Sequence, residues 1–241
     1  MKKMIYGILL FAVVFCFGLN VYAKEDVFYT NENGVELTEK EYKFLSSFFY
    51  EDYPKVMTKE LYDDFIEKDL MSKKIQIKKI SGNGSSKSPY HGTANKSLQI
   101  SSACSTSCYM YLTATWFNSP NNRSYDVIGA YLSGPTLVSH DYTFVSSSAG
   151  TVYYNNVKSQ SNGFGNSVLL PSSGSNIIIA QSFTVSGHGT VYGSYQHSMN
   201  PVTLAQSKNY NISFYGYGHV FDFYGTALNM FDGMAGVDIT I

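Results

Sequence analysis

The chain has 241 residues, of which 15% are charged and 44% hydrophobic, and its formal net charge is −1. That balance excludes a strongly basic protein drawn to nucleic acid or acidic lipid by bulk charge. It also excludes the disordered, collagen-like and coiled-coil classes. Twenty-one Tyr and sixteen Phe stand against a single Trp.

Lys2 and Lys3 give a positive start, and residues 4–19 form a largely apolar run. Val21 and Ala23 then supply the −3 and −1 positions of a signal-peptidase site. The pattern predicts a signal peptide over 1–23, cut between Ala23 and Lys24. The run is shorter than the ~20 residues a spanning helix needs. Val13, Val14 and Phe15 are too bulky for a lipoprotein box before Cys16. The expectation is a secreted protein, extracellular or associated with the cell surface, that meets the membrane only through its signal peptide. Removing 23 from 241 leaves 218 residues, enough for one domain of good size.

Residues 24–80 carry 13 acidic and 10 basic side chains, whereas 81–241 carry 5 of each and no Glu. This shift falls on a Ser/Gly/Asn stretch beginning at Ser81, which reads as a flexible linker over 81–97. It divides a helical hairpin region, 24–80, from a β domain, 98–241. In the first region Thr38 and Glu41 have capping-box spacing. Tyr42, Leu45 and Phe49 follow at helical intervals, and Thr58 opens a second apolar stripe through Leu61 and Phe65. Two short helices are predicted, at 39–51 and 59–69, with Pro54 ending the first. Such helices are marginal alone, so their apolar faces should pack on each other or on the β domain.

The second region alternates with period two. Cys108, Met110, Leu112, Ala114 and Trp116 share one face, and Tyr109, Tyr111, Thr113, Thr115 and Phe117 share the other. Similar runs recur at 125–132, 141–145, 151–157, 177–185, 189–196, 210–224 and 237–241, separated by Gly/Pro/Asn/Ser turns. The fold class is mainly β: an antiparallel β-sandwich of about eight to ten strands, preceded by the small helical hairpin. The apolar C-terminal strand is expected inside a sheet. Gly150-Thr151-Val152-Tyr153 recurs as Gly189-Thr190-Val191-Tyr192, but the flanks do not match, which reads as reuse of good strand residues.

Two cysteines survive signal cleavage, Cys104 and Cys108. In an exported protein they predict a disulfide across a hairpin turn. So short a loop yields less than the ~3 kcal/mol that chain entropy gives for a 15-residue loop.

No nucleophile elbow, zinc-protease motif, phosphate loop or EF-hand is present, and no cofactor or metal is expected. A paired-carboxylate site in the β domain would draw on Asp126, Asp141, Asp222, Asp232 and Asp238, with Asp126 and Asp238 read as outward-facing. The five histidines, 91, 140, 188, 197 and 219, lack ligand spacing. His140 with Asp141, and His219 with Asp222, are the pairs able to build an acid–base site.

Strand parity places Tyr109, Tyr111, Tyr192, Tyr215 and Tyr217 opposite the apolar face, among Thr, Ser and Asn. Tyr pairs a flat apolar ring with a hydroxyl, which suits sugar faces and flat protein surfaces. These five are the candidate binding residues. The competing reading is that they are good strand residues, or that the helical region covers them. Trp116 belongs to the core face.

Segments 124–128, 161–174, 189–198 and 231–237 resemble a group of secreted β-rich proteins of Gram-positive, Firmicute-type bacteria. The resemblance implies an exported β-module and brings no activity with it. The expected function is that of an exported bacterial binding or surface-interaction protein. Its partner would be a glycan, a cell-wall polymer or a surface protein, not nucleic acid. The alternatives are a secreted hydrolase assembled from distant His and Asp residues, and a membrane-active β protein using the nearly uncharged segment 142–157. Nothing in the sequence sets an oligomeric state.

Overall fold

The computed structural model describes residues 26–82, 96–120, 123, 125–155, 157–160, 162–197, 210–213, 220–223 and 235–241. The expected signal segment with its Ala23–Lys24 junction lies outside them.

The N-terminal region is a small cap. A two-residue ladder joins β1 (Tyr29–Thr30) to β2 (Glu36–Leu37). Helix α1 (Glu39–Phe48) starts at the expected capping box: Glu41 N–H donates to the Thr38 hydroxyl at 3.2 Å, and Thr38 N–H donates to Glu41 Oε2 at 2.8 Å. It ends earlier than Pro54 requires. Pro54 sits in the first turn of a separate short helix, α2 (Tyr53–Val56), where a missing N–H costs nothing. Thr58 caps α3 (Lys59–Glu67) as predicted, accepting from Leu61 N–H at 3.4 Å.

Six antiparallel strands follow as one sheet: β3 (Lys74–Gly82), β4 (Lys96–Cys104), β5 (Cys108–Trp116), β11 (Ile178–Ser186), β7 (Thr136–Ser147) and β8 (Gly150–Tyr154), in that spatial order. A five-stranded sheet faces it, ordered β15 (Ala235–Thr240), β12 (Thr190–Gln196), β6 (Tyr125–Ser133), β10 (Gly163–Leu169) and β9 (Lys158–Gln160). A separate hairpin pairs β13 (Tyr210–Ser213) with β14 (Val220–Phe223). The chain is therefore mainly β, in antiparallel sheets that form a sandwich, with short helices at its N-terminal side.

Two expected boundaries move. Ser81 pairs with Ser97 and Gly82 with Lys96, so both ends of the expected 81–97 linker are strand, while 83–95 lies outside the described residues. Strand β3, assigned to the helical region on its lysines, is the edge of the main sheet. Among the described residues the terminal strand β15 pairs only with β12 and is likewise an edge, not an inner strand. There Lys78 of β3 reaches Asp238 of β15 at 3.1 Å, which links the two sheets.

Both faces of the six-stranded sheet are covered. Its inner face carries Leu98, Met110, Leu112, Ile179 and Phe183, packed against Ile128, Phe164, Val191 and Val237. Burial on this scale contributes about 25 cal/mol per Å² of apolar surface. Gly193 allows close approach here: a Cβ at that position would lie 2.5 Å from Leu112 Cδ1. The outer face carries Ala103, Tyr109, Tyr111, Phe144 and Ala180 in a second core with Leu45, Phe48, Phe49 and Tyr53 of the cap. Within the uncharged segment 142–157, residues 142–147 and 150–154 are committed to this sheet, because β7 pairs with β11 on one side and β8 on the other. A membrane hairpin from it would have to be extracted from the sheet.

Candidate functional site

Tyr109 and Tyr111 are not a surface platform. Tyr111 is 0% exposed, with its ring edge-on to Phe49 at 4.6 Å, and Tyr109 is 3% exposed, stacked near Phe48 at 6.3 Å. The cap supplies the cover. Its docking is specified by two polar side chains of β4. Gln99 Nε2 lies 3.0, 3.1 and 3.2 Å from the carbonyls of Ser47, Phe48 and Phe49, and Ser101 Oγ donates to Phe48 O at 2.6 Å. They satisfy the last-turn carbonyls that α1 leaves without intrahelical partners. Burial raises the phenol pKa of Tyr53, Tyr109 and Tyr111 well above the usual value, and burial first of all pushes Tyr142 up to about 12. Tyr109 and Tyr142 share a 3.3 Å hydroxyl contact, while the Tyr111 hydroxyl is buried without a hydrogen-bond partner among the described residues. These tyrosines are core. Tyr192 lies on the outer face of the other sheet, half-buried, 5.9 Å from Tyr131. Tyr215 and Tyr217 lie outside the described residues.

The predicted disulfide forms: Cys104 and Cys108 are bonded across the β4–β5 turn. Trp116 is 2% exposed, on the core face as expected.

His140 and Asp141 do not form a pair. The β7–β11 register skips Asp141 at a bulge. Asp141 is exposed and accepts from Ser139 Oγ at 3.0 Å. His140 turns inward, 3.1 Å from Thr143 Oγ1 and 3.3 Å from Gln181 Nε2, and burial lowers its pKa. His219 lies outside the described residues, and Asp222 is described only as part of strand β14. Asp126 does not face outward as its strand frame predicts. It shares the inner face of β6 with Ile128, Ala130 and Leu132, and is 0% exposed. Its carboxylate contacts His197 Nδ1 at 2.8 Å and accepts from the Tyr195 hydroxyl. Trp116 Nε1 donates to the same Tyr195 oxygen at 2.8 Å, and Lys96 Nζ stands 5.4 Å from the Trp116 ring centroid. A distant His and Asp thus meet, but between the sheets rather than in a cleft. Among the described residues no group of three His, Cys, Asp or Glu is placed to hold a metal.

A polar cleft opens to solvent at the seam between cap and sheet. Tyr50, Glu51 and Asp52 line it from the cap, and Lys79, Phe117 and Asn176 line it from the sheet, around about 170 Å³. Phe117 is 53% exposed, at the end of β5. Tyr50 is buried, and burial holds its phenol neutral by raising its pKa. Asp52 accepts from Lys55 Nζ at 2.7 Å. Asn176 holds a left-handed φ of 55°, a backbone state Asn tolerates better than most residues. Sequence reasoning misses this cleft because its carboxylates belong to the charged N-terminal region, counted apart from the β domain. Phe117, in the frame opposite Trp116, is the available signal.

No family model matches the chain, and no curated protein matches it. Among solved structures it is similar to the enzymatically active domain of tailspike protein 4 of bacteriophage CBA120, with 11% identity and a TM-score of 0.23. That match covers 47% of this chain and 17% of the tailspike chain. A likeness so slight says nothing of fold or activity here.

Proposed function

We propose that the protein is an exported bacterial surface-interaction protein that binds a glycan or cell-wall polymer at the seam between cap and sheet. One observation supports this reading: an exposed aromatic ring, Phe117, beside the carboxylates of Glu51 and Asp52 and the amide of Asn176. A flat ring takes the apolar face of a sugar, and carboxylates and amides accept or donate to its hydroxyls. The cleft is smaller than the ~300–1,000 Å³ pockets that enclose a whole small ligand, so it suits one unit of a longer chain. Export rests on the N-terminal signature over 1–23 and on the resemblance to secreted β-modules.

The test is a glycan array and a cell-wall pull-down with the full chain, Phe117→Ala and Asp52→Asn. The expected result is binding by the parent and loss in both variants, with melting temperatures unchanged because both side chains are exposed. Blank arrays and walls, or equal binding by Phe117→Ala, would remove the proposal.

A second reading, hydrolysis, is favoured by the 2.8 Å Asp126–His197 contact. A carboxylate held on Nδ1 orients an imidazole for base catalysis through its other nitrogen. Both residues are 0% exposed, so substrate entry would require the sandwich end to open. A panel of chromogenic esters, glycosides and phosphates tests it. Turnover that survives His197→Ala would refute this assignment.

A further inference from the structure

Among the described residues, strand β8 is the edge of the six-stranded sheet opposite β3. It pairs with β7 from Gly150 to Tyr154, and its other side carries no backbone partner among the described residues. Natural edges are blunted by charge, Pro or bulges. This one reads Gly-Thr-Val-Tyr-Tyr, regular in register and uncharged, with Val152 54% and Tyr153 56% exposed. A cleft of about 400 Å³ lies alongside, lined by Val145, Val152, Leu169, Leu170 and Pro171, with Arg123 at its margin.

Arg123 sets the chemistry. Its Nη1 donates to Pro171 O at 3.1 Å and its Nη2 to Gly174 O at 2.7 Å, which fixes the guanidinium in place. It forms no ion pair with a described carboxylate. Tyr154 also lines the cleft, and its hydroxyl donates to Leu169 O at 2.8 Å and accepts from Leu169 N–H at 3.1 Å. Among the described residues the site thus offers unpaired backbone groups along one line, an apolar trough beside it and a held positive charge.

We propose that β8 binds a partner protein by strand addition. The occupant is an extended peptide with alternating apolar side chains and one carboxylate that meets Arg123. Main-chain hydrogen bonds supply affinity in this mode, and alternate side chains entering pockets supply specificity. A second copy of this chain fits less well. Antiparallel pairing of β8 with itself brings no acid to Arg123, because residues 150–154 contain none. A bare acidic polysaccharide would leave the strand's N–H and C=O groups unmet. The site is separate from the Phe117 cleft, so it stands or falls independently of polymer binding there.

The test is selection of a random heptapeptide library on the full chain. Affinity of the consensus peptide is then measured by fluorescence anisotropy, and backbone hydrogen exchange is followed across 150–154. Peptides alternating apolar residues around a fixed Asp or Glu should emerge, and binding should slow exchange in β8. Val152→Lys should weaken binding at least about tenfold. Arg123→Glu should do the same, as expected when a charge partner is reversed, and should shift selection to Lys-containing peptides. Circular dichroism of both variants checks folding, and Arg123→Gln provides a milder change if Arg123→Glu is unfolded. Four results would overturn the proposal: no alternating consensus, equal affinity for Val152→Lys, acidic-polymer binding without protection of 150–154, or dimerisation that Val152→Lys abolishes.

Discussion

Replacing Tyr111 by Phe should stabilise the protein, although it removes a polar group from a residue type suited to recognition. The Tyr111 hydroxyl is buried, with no hydrogen-bond partner among the described residues. Its ring keeps its contacts whether or not the oxygen is present, edge-on to Phe49 at 4.6 Å and to Tyr53 at 6.2 Å. A buried hydroxyl without a partner costs about 1–3 kcal/mol. The small gap left by the oxygen returns part of that, so a net gain of about 1 kcal/mol is expected. For a domain of this size that is about 2–4 °C in Tm. Urea unfolding followed by circular dichroism measures the free energy, and calorimetry the Tm. Tyr109→Phe is the internal control. It loses the 3.3 Å contact with Tyr142 and should be neutral or lose up to about 1 kcal/mol. The reasoning fails if Tyr111→Phe lowers Tm by as much as Tyr109→Phe does.

Three further outcomes follow from the same contacts. Gln99→Ala leaves the Ser47 and Phe49 carbonyls without their sheet partner, while Phe48 O keeps Ser101, so a loss of about 1–3 kcal/mol is expected, with the cap the first region cut in limited proteolysis. Alkaline pH should unfold the chain: Tyr53, Tyr109 and Tyr111 have folded-state pKa values above the unfolded value of about 10, so their stabilisation is complete below pH 10 and is lost above it. A phenolate absorbance titration should then show these tyrosines ionising only together with loss of the β-sheet signal. His140 has the opposite sign. Burial lowers its pKa, so its neutral form is favoured on folding, and stability should fall as pH drops through about 6.5. Stability curves between pH 7 and 5 for the parent and His140→Gln test this, and the variant should be the flatter.

How far the sequence can be read depends on which neighbours decide each position. The Thr38–Glu41 cap, the Thr58 cap and the Cys104–Cys108 hairpin are local, and local chemistry suffices for them. Strand parity places Trp116, because Met110 and Leu112 mark its face without ambiguity. Parity fails at Asp126, since both frames of β6 are apolar: Val127 and Tyr131 compete with Ile128 and Leu132. Only pairing with β12, which brings Tyr195 and His197 to the same layer, decides between them. Tyr109 and Tyr111 face outward when a single strand is considered. Strand β5 in fact has apolar or aromatic residues in both frames, the mark of a strand covered on both sides. What covers it lies more than forty residues earlier in the chain, beyond the reach of any local pattern.

The shared core of cap and sheet also constrains the order of folding. Phe48 in the cap and Ala180 in β11 belong to one apolar cluster, although more than half of the chain separates them. During synthesis the N-terminal helices emerge first, yet their packing surface is complete only when β11 arrives. Contacts so distant in sequence slow folding and make it cooperative. The nascent cap therefore exposes Phe48, Phe49 and Tyr53 until the second half of the chain is available, which makes that interval the point of greatest exposure to aggregation and to chaperones.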